Sequence, residues 1–268
     1  MTTRVMGVVN ITPDSFSDGG RFLGAEAALA QARRLIADGA ELLDVGGEST
    51  RPGAQPISAG EEIARIVPLI RALRAESAAP ISVDTMKPEV ARAAVAAGAQ
   101  IWNDVTALGH APDSLETAAE LGCEVVLMHM QGEPRTMQDA PRYDDVAAEV
   151  AGFLAARAEA AIAAGVARER IWLDPGIGFG KHPIRHNLPL LAHLDLVVGL
   201  GFPVLLGVSR KGFIGRLDAG APADQRLGGS IAAALAGVAA GVAAVRVHDV
   251  RETMQAIRVW SAIAAARG

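Results

Sequence analysis

The sequence predicts a single (β/α)8 barrel spanning residues 1–268, and three observations carry that expectation. Short runs rich in Val, Ile and Leu recur along the whole chain. Each is followed by a polar or Gly-rich turn and an Ala-rich stretch at helical spacing, the pattern of repeated βα units. Eight such pairs fill 268 residues, close to the roughly 250 typical of the class. No Pro/Ser-rich linker or block of charge divides them.

In order, the first strand is expected at 5–11 with its helix at 25–37, and the second at 41–45 with its helix at 59–75. Ser58 and Glu61 form a capping-box pattern there, in which both side chains satisfy backbone donors that the first turn leaves free. The third pair is 81–84 and 88–97, the fourth 100–105 and 113–121, and the fifth 124–129 and 145–164. The last three are 171–174 with 186–198, 203–208 with 226–240, and 244–247 with 252–265. Gly39, Gly98, Gly122 and Gly165 each fall shortly before a strand, where a helix ends and the backbone needs positive φ.

Composition narrows the function. Half the residues are hydrophobic and only 4% aromatic, so the core must be aliphatic. With 25 Lys+Arg against 30 Asp+Glu and no basic run, the chain lacks an electrostatic footprint for nucleic acid or an anionic membrane. Small molecules are the expected partners. Cys123 is the only cysteine, which excludes an intrachain disulfide framework and a Cys-rich zinc site and fits a reducing compartment. Met1 to Arg4 lead almost directly into a strand-like run, too short for a signal peptide, so a cytoplasmic location is expected. Residues 228–245 carry no charge, but 13 of the 18 are Gly, Ala or Ser, and Gly237 and Gly241 interrupt them, which argues against a membrane span.

Parallel barrel strands are buried on both faces, so polar residues should gather at their C-terminal ends, where βα loops begin. They do: Asn10, Asp44 with the 46–51 loop, Asp84-Thr85, Asn103-Asp104, His129, Asp174, Ser209-Arg210-Lys211, and Arg246, His248 and Asp249. These residues are expected to converge on one mouth, with helix-cap or turn roles as the alternative for Thr85, Asp104 and Asp249. Asp84, Asn103 and Asp174 offer acceptors and an amide for the edge of a planar, nitrogen-rich heterocycle. Lys211, Arg246, His248 and Arg51 offer charge and donors for phosphate oxygens. A run at 176–181 looks like a nucleotide loop, but the dinucleotide pattern fails at Lys181 and the P-loop pattern at Pro175 and His182. No His-Glu-x-x-His or Ser/His/Asp arrangement is recognisable.

The mouth residues lie in stretches that closely resemble dihydropteroate synthase, the folate-pathway family inhibited by sulfonamides. The matching segments are 6–20, 44–53, 83–85, 101–104, 127–132, 173–181, 207–211 and 245–249, almost the whole chain in the family's order. The resemblance implies a transferase that condenses a dihydropterin methyl diphosphate with p-aminobenzoate. It implies that Asp84, Asn103, Asp174 and Lys211 bind the pterin, with Arg246 packed over it and Val105, Met128, Phe179 and Gly207 as apolar walls. Asn10 would ligate Mg2+, and together with Thr50, Arg246 and His248 it would hold the diphosphate. Phe16, Arg51, Pro52, Lys211 and Gly212 would surround the p-aminobenzoate. Gly212 is a departure, because many members carry Ser there. The family also suggests a homodimer. Asp84, Asp174, Lys211 and Arg246 are the expected catalytic set, for a substitution in which the C–O bond to diphosphate breaks first. Loops 13–23 and 46–57, rich in Gly, Ser and Pro, are expected to order over the site with ligand.

Two other readings compete. A non-catalytic pterin-binding paralogue draws its only support from Gly212. A methyltetrahydrofolate-dependent methyltransferase shares the barrel but would not need the 49–53 loop or the diphosphate residues.

Overall fold

In the computed structural model, which describes residues 3–11, 21–49, 55–133 and 135–266, the strands are β1 (Arg4–Asn10), β2 (Leu42–Gly46), β3 (Ile81–Asp84), β4 (Ile101–Asp104), β5 (Glu124–Met128), β6 (Ile171–Asp174), β7 (Leu205–Gly207) and β8 (Ala244–Val247). All pair in parallel, in the order β6-β5-β4-β3-β2-β1-β8-β7. An isolated parallel bridge between Leu173 and Val204 brings the edges β6 and β7 together, closing the expected barrel.

The helices are α1 (Arg21–Ala37), α2 (Ala59–Glu76), α3 (Pro88–Ala96), α4 (Ser114–Leu121), α5 (Val146–Ala163), α6 (Asn187–Ala192), α7 (Asp195–Val198), α8 (Gly212–Leu217), α9 (Leu227–Ala240) and α10 (Val250–Ala265). Two differences from the sequence reading stand out. The continuous helix expected at 186–198 is broken into α6 and α7, because His193 leaves the helical region at φ −116°, ψ 36°. After β7 an additional helix, α8, precedes the expected one. Its Gly215 looks like a helix breaker, yet a Cβ there would lie 2.7 Å from Ala221 O, so glycine permits a close backbone approach.

Helix ends follow the sequence more closely. Gly39, Gly98, Gly122 and Gly165 have φ of 104°, 113°, 57° and 106°. Ser58 Oγ accepts from Glu61 N at 3.2 Å, as a cap should. The Glu61 carboxylate departs from the capping box and takes Arg65 at 2.6 Å.

Two apolar layers form. Outside the sheet, strand residues such as Val83, Leu127 and Leu173 pack with Ile66, Leu69, Leu73 and Leu154 of the helices. Inside the barrel a separate plug consists of Met6, Leu42, Ile101, Val126, Trp172, Leu205 and Ala244. Among the described residues no helix is long and apolar enough to cross a membrane.

Candidate active site

Side chains alternate along a strand, so the residues two and four beyond each member of the interior plug also face inward. From Met6 this leads to Asn10, from Leu42 to Asp44 and Gly46, and from Ile101 to Asn103 and Val105. From Val126 it leads to Met128, from Trp172 to Asp174, from Leu205 to Gly207, and from Ala244 to Arg246 and His248. Register places Asn10 beside Gly46, Gly46 beside Asp84, Asp84 beside Asn103, Met128 beside Asp174, and Gly207 beside Arg246. The apolar plug is thus the floor of a pocket whose rim carries the polar residues expected from sequence.

The same alternation favours the cap or turn alternative for Thr85, Asp104 and Asp249 and corrects the expectation for His129. Thr85, Asp104, His129 and Asp249 each stand one position past an inward residue and turn away from the mouth. Thr85 Oγ1 accepts from Lys87 N at 3.2 Å. Asp104 accepts from Thr106 N and Oγ1, both at 2.7 Å, and from Leu108 N at 3.1 Å. His129 lies 2.8 Å from Lys181 Nζ. Asp249 pairs bidentately with Arg210, at 2.5 and 3.0 Å. Arg210 is therefore structural.

At the pocket's centre the Arg246 guanidinium bridges two acids, with Nε 2.5 Å from Asp44 Oδ2 and a terminal nitrogen 2.9 Å from Asp84 Oδ2. Asp44 is fully buried and also accepts from Asn103 Nδ2 at 3.4 Å, so it fixes both residues from below. Burial works against the Arg246 charge, but Asp44 and Asp84 outweigh it and hold the guanidinium above its ordinary pKa. Asp84 commits one oxygen to Arg246 and leaves buried Oδ1 without a hydrogen-bond partner among the described residues. Burial pushes its carboxyl up to about 7 against the pull of Arg246. Burial likewise raises Asp174, whose Oδ1 accepts from Gly176 N at 2.7 Å. Lys211 is lowered to about 8 by burial. Its Nζ sits 4.2 Å from the centroid of the Phe179 ring, a cation–π contact. Val105 and Met128 are buried and line the wall. His248 Nδ1 lies 3.0 Å from Ser209 Oγ.

Phe16, Thr50, Arg51 and Pro52 lie outside the described residues, as do 13–20 and 50–54 of the two loops. Sequence reasoning missed a buried ion cluster beside the pocket: Lys87 Nζ lies 2.8 Å from both Glu48 and Glu62. Glu48 also accepts from Ile57 N at 2.9 Å, joining both ends of the 46–57 loop. The available signal was Glu62 itself, a charge in the buried stripe of α2 with Ile66, Leu69 and Leu73.

A parallel barrel with two carboxylates, an amide and a lysine around an apolar-walled pocket, and an arginine at its centre, defines an enzyme for a planar heterocycle bearing an anionic group. Residues 6–248 match the family described as pterin binding enzyme. Within it, the chain belongs to the dihydropteroate synthase family. It is 48% identical to the dihydropteroate synthase of Escherichia coli K12 over 263 residues, covering 98% of this chain and 92% of that one. It is similar to the Xanthomonas albilineans dihydropteroate synthase solved with 4-aminobenzoic acid, at 52% identity and a TM-score of 0.93, covering 98% of this chain and 94% of that one. The same organism's enzyme in complex with 7,8-dihydropteroate matches at 48% identity and a TM-score of 0.89, with the same coverage.

Proposed function

We infer that the chain condenses 6-hydroxymethyl-7,8-dihydropterin diphosphate with p-aminobenzoate, giving 7,8-dihydropteroate and diphosphate. Family membership supports the reaction, and one observation ties it to this pocket: Asp84 gives one oxygen to Arg246 and keeps the other, buried and without a partner among the described residues, for a ring N–H. Asn103, Asp174 and Lys211 complete the ring cradle, and Arg246 packs over it. As the C–O bond breaks, the electron pair leaves with diphosphate and positive charge spreads into the pterin. Asp84 and Asp174 stabilise that charge, while Arg246, His248 and Thr50 hold the departing anion. The aniline nitrogen of p-aminobenzoate, already neutral, then bonds to the exocyclic CH2 and releases a proton to water. It needs orientation by Phe16, Arg51, Pro52, Lys211 and the Gly212 backbone more than it needs a general base.

Mg2+ is the proposed cofactor. Asn10 presents its amide oxygen beside Gly46, a neutral oxygen donor of the kind a hard cation takes. A hard cation of this kind would take that one protein oxygen and complete its shell from diphosphate and water. When bound it supplies charge neutralisation on the leaving diphosphate. The test is mass-spectrometric detection of dihydropteroate from purified protein and both substrates. Mg2+-dependent product is expected, and pterin binding without product would overturn the reading in favour of a non-catalytic paralogue.

Gly212 is exposed, and a Cβ there meets nothing within 4 Å. Gly212→Ser is therefore expected to be accommodated and, by adding one hydrogen bond of about 1 kcal/mol, to lower the KM for p-aminobenzoate roughly fivefold in steady-state assays. An unchanged KM would remove this position from the aminobenzoate site.

The cytoplasm is the proposed location, consistent with a single buried free cysteine, Cys123. A homodimer is also proposed, pairing through the outer face of α9 and α10. There Val259, Trp260 and Ile263 are 55%, 39% and 52% exposed beside a groove lined by Ile231 and Leu235.

A further inference from the structure

We propose that Lys181 is a positioning residue for this reaction, fixing the 176–180 loop against the end of β5 so that Asp174, Phe179 and Lys211 keep their places around the pterin. The inference rests on the dihydropteroate synthase reading and adds a residue to its machinery.

Lys181 has no solvent exposure. Its ammonium reaches Gly176 O at 2.9 Å, Phe179 O at 3.0 Å, His129 O at 3.3 Å and His129 Nδ1 at 2.8 Å. Burying a cation costs several kcal/mol unless its protons are fully used. Burial draws the Lys181 amine down to about 7 against the pull of Asp174, and in its protonated form three N–H groups meet four acceptors, none of them carrying a proton. For His129 this requires the tautomer with hydrogen on Nε2, in keeping with a ring that burial and the neighbouring Lys181 hold neutral.

The arrangement solves a particular problem. Three carbonyl oxygens, from β5's end and from two points in the loop after β6, converge on one spot, where their dipoles repel. The two backbones meet without intervening side chains: at Gly176, φ 66°, a Cβ would lie 1.9 Å from His129 O, and at Gly180, φ 60°, 2.2 Å from Gln131 O. N–H donation from one buried amine to all three oxygens turns that convergence into an attraction. Remaining polar groups of the loop are also engaged, with Gly178 N on Asn187 Oδ1 at 2.9 Å and Gly180 O on the Tyr143 hydroxyl at 2.8 Å.

What the loop carries links Lys181 to the chemistry. Gly176 N holds Asp174 at 2.7 Å. The Phe179 ring faces the Lys211 ammonium, and a Cβ at Gly178 would lie 3.4 Å from Lys211 Cδ. A loop displaced by even about 1 Å would disturb both ends of the pterin cradle, a misplacement that can cost on the order of 100-fold in rate.

The test compares Lys181→Met, which keeps the chain length and removes the charge, with Lys181→Gln, which keeps two N–H donors, each in the wild-type and the Phe179→Ala backgrounds. The readouts are thermal midpoint and steady-state kinetics for both substrates. Expected results are a fall of about 100-fold in kcat/KM for the pterin diphosphate in Lys181→Met, a smaller fall in Lys181→Gln, and a much reduced further loss when either is added to Phe179→Ala. Should the Met variant not fold, the Gln variant carries the same comparison. A lowered thermal midpoint with wild-type kinetics, or a loss fully additive with Phe179→Ala, would overturn the proposal. Inactive wild-type protein would instead defeat the underlying reading of the reaction.

Discussion

Arg246→Met is expected to abolish synthesis and to lower stability by about 3–5 kcal/mol, because it leaves two buried carboxylates without their cation. Asp44 is fully buried and Asp84 nearly so, and both accept from this one guanidinium. Loss of the arginine also removes the group that packs on the ring and faces the leaving diphosphate, for which a fall of at least about 1,000-fold in kcat is expected. The two effects are separable. Adding Asp44→Asn removes the more deeply buried orphan charge, so the double variant should regain much of the thermal midpoint and none of the activity. The pH dependence has a definite sign. Without Arg246 the pull that opposes burial at Asp84 is gone, so that carboxyl rises further above its unfolded value and contributes stability that is present at low pH and lost as pH rises. The variant's deficit should therefore shrink toward pH 5. Calorimetry that found the deficit constant from pH 5 to 8, or a double variant no more stable than Arg246→Met, would exclude this account of the pair.

How far this site can be read from sequence depends on which interaction is asked about. Local patterns reveal the strands well, since a buried parallel strand must be a short aliphatic run, and each of the eight expected runs overlaps an observed strand, with β1 and β2 displaced by one residue. The inward residues Asp84, Asn103 and Asp174 are legible because polar side chains are rare in such runs. Strand ends alone do not say which face a residue takes, so sequence leaves Thr85, Asp104 and Asp249 open between the mouth and a cap or turn role and places His129 at the mouth, whereas alternation sends all four outward. Partners across the barrel are harder still: Asp44 and Arg246 are separated by 202 positions, and nothing in the spacing pairs them. The 176–181 run fails both nucleotide-loop patterns that its glycines suggest, and the burial of Lys181 follows from a backbone convergence visible only in three dimensions. The same holds for α8, whose Gly215 reflects crowding rather than flexibility.

Asp84→Asn should lower kcat/KM for the pterin diphosphate by roughly 1,000- to 10,000-fold, as when a buried polar site meets a partner that cannot complete its hydrogen bonds. The amide has one acceptor and one donor group where the carboxylate has two acceptors. If its oxygen faces Arg246, the NH2 meets the ring N–H; if it flips, the NH2 meets the guanidinium. Either way one buried donor is unpaired, at about 1–3 kcal/mol, and the charge that stabilises the developing cation is gone as well. The wild-type pH profile provides a second handle. Because burial raises the Asp84 carboxyl to about 7, kcat/KM for the pterin should climb as pH rises through 7 and level above it, and this limb should vanish in Asp84→Asn. Stability should run the other way. A carboxyl with its folded pKa above its unfolded value binds more protons when folded between about pH 4 and 7, so its contribution is full below that window and lost as pH rises through it. The wild-type enzyme should thus gain activity over the interval in which Asp84 costs it stability, and Asp84→Asn should flatten both curves. Should the limb near pH 7 persist in Asp84→Asn, another group controls it, and Asp84 is not the carboxylate that stabilises the ring.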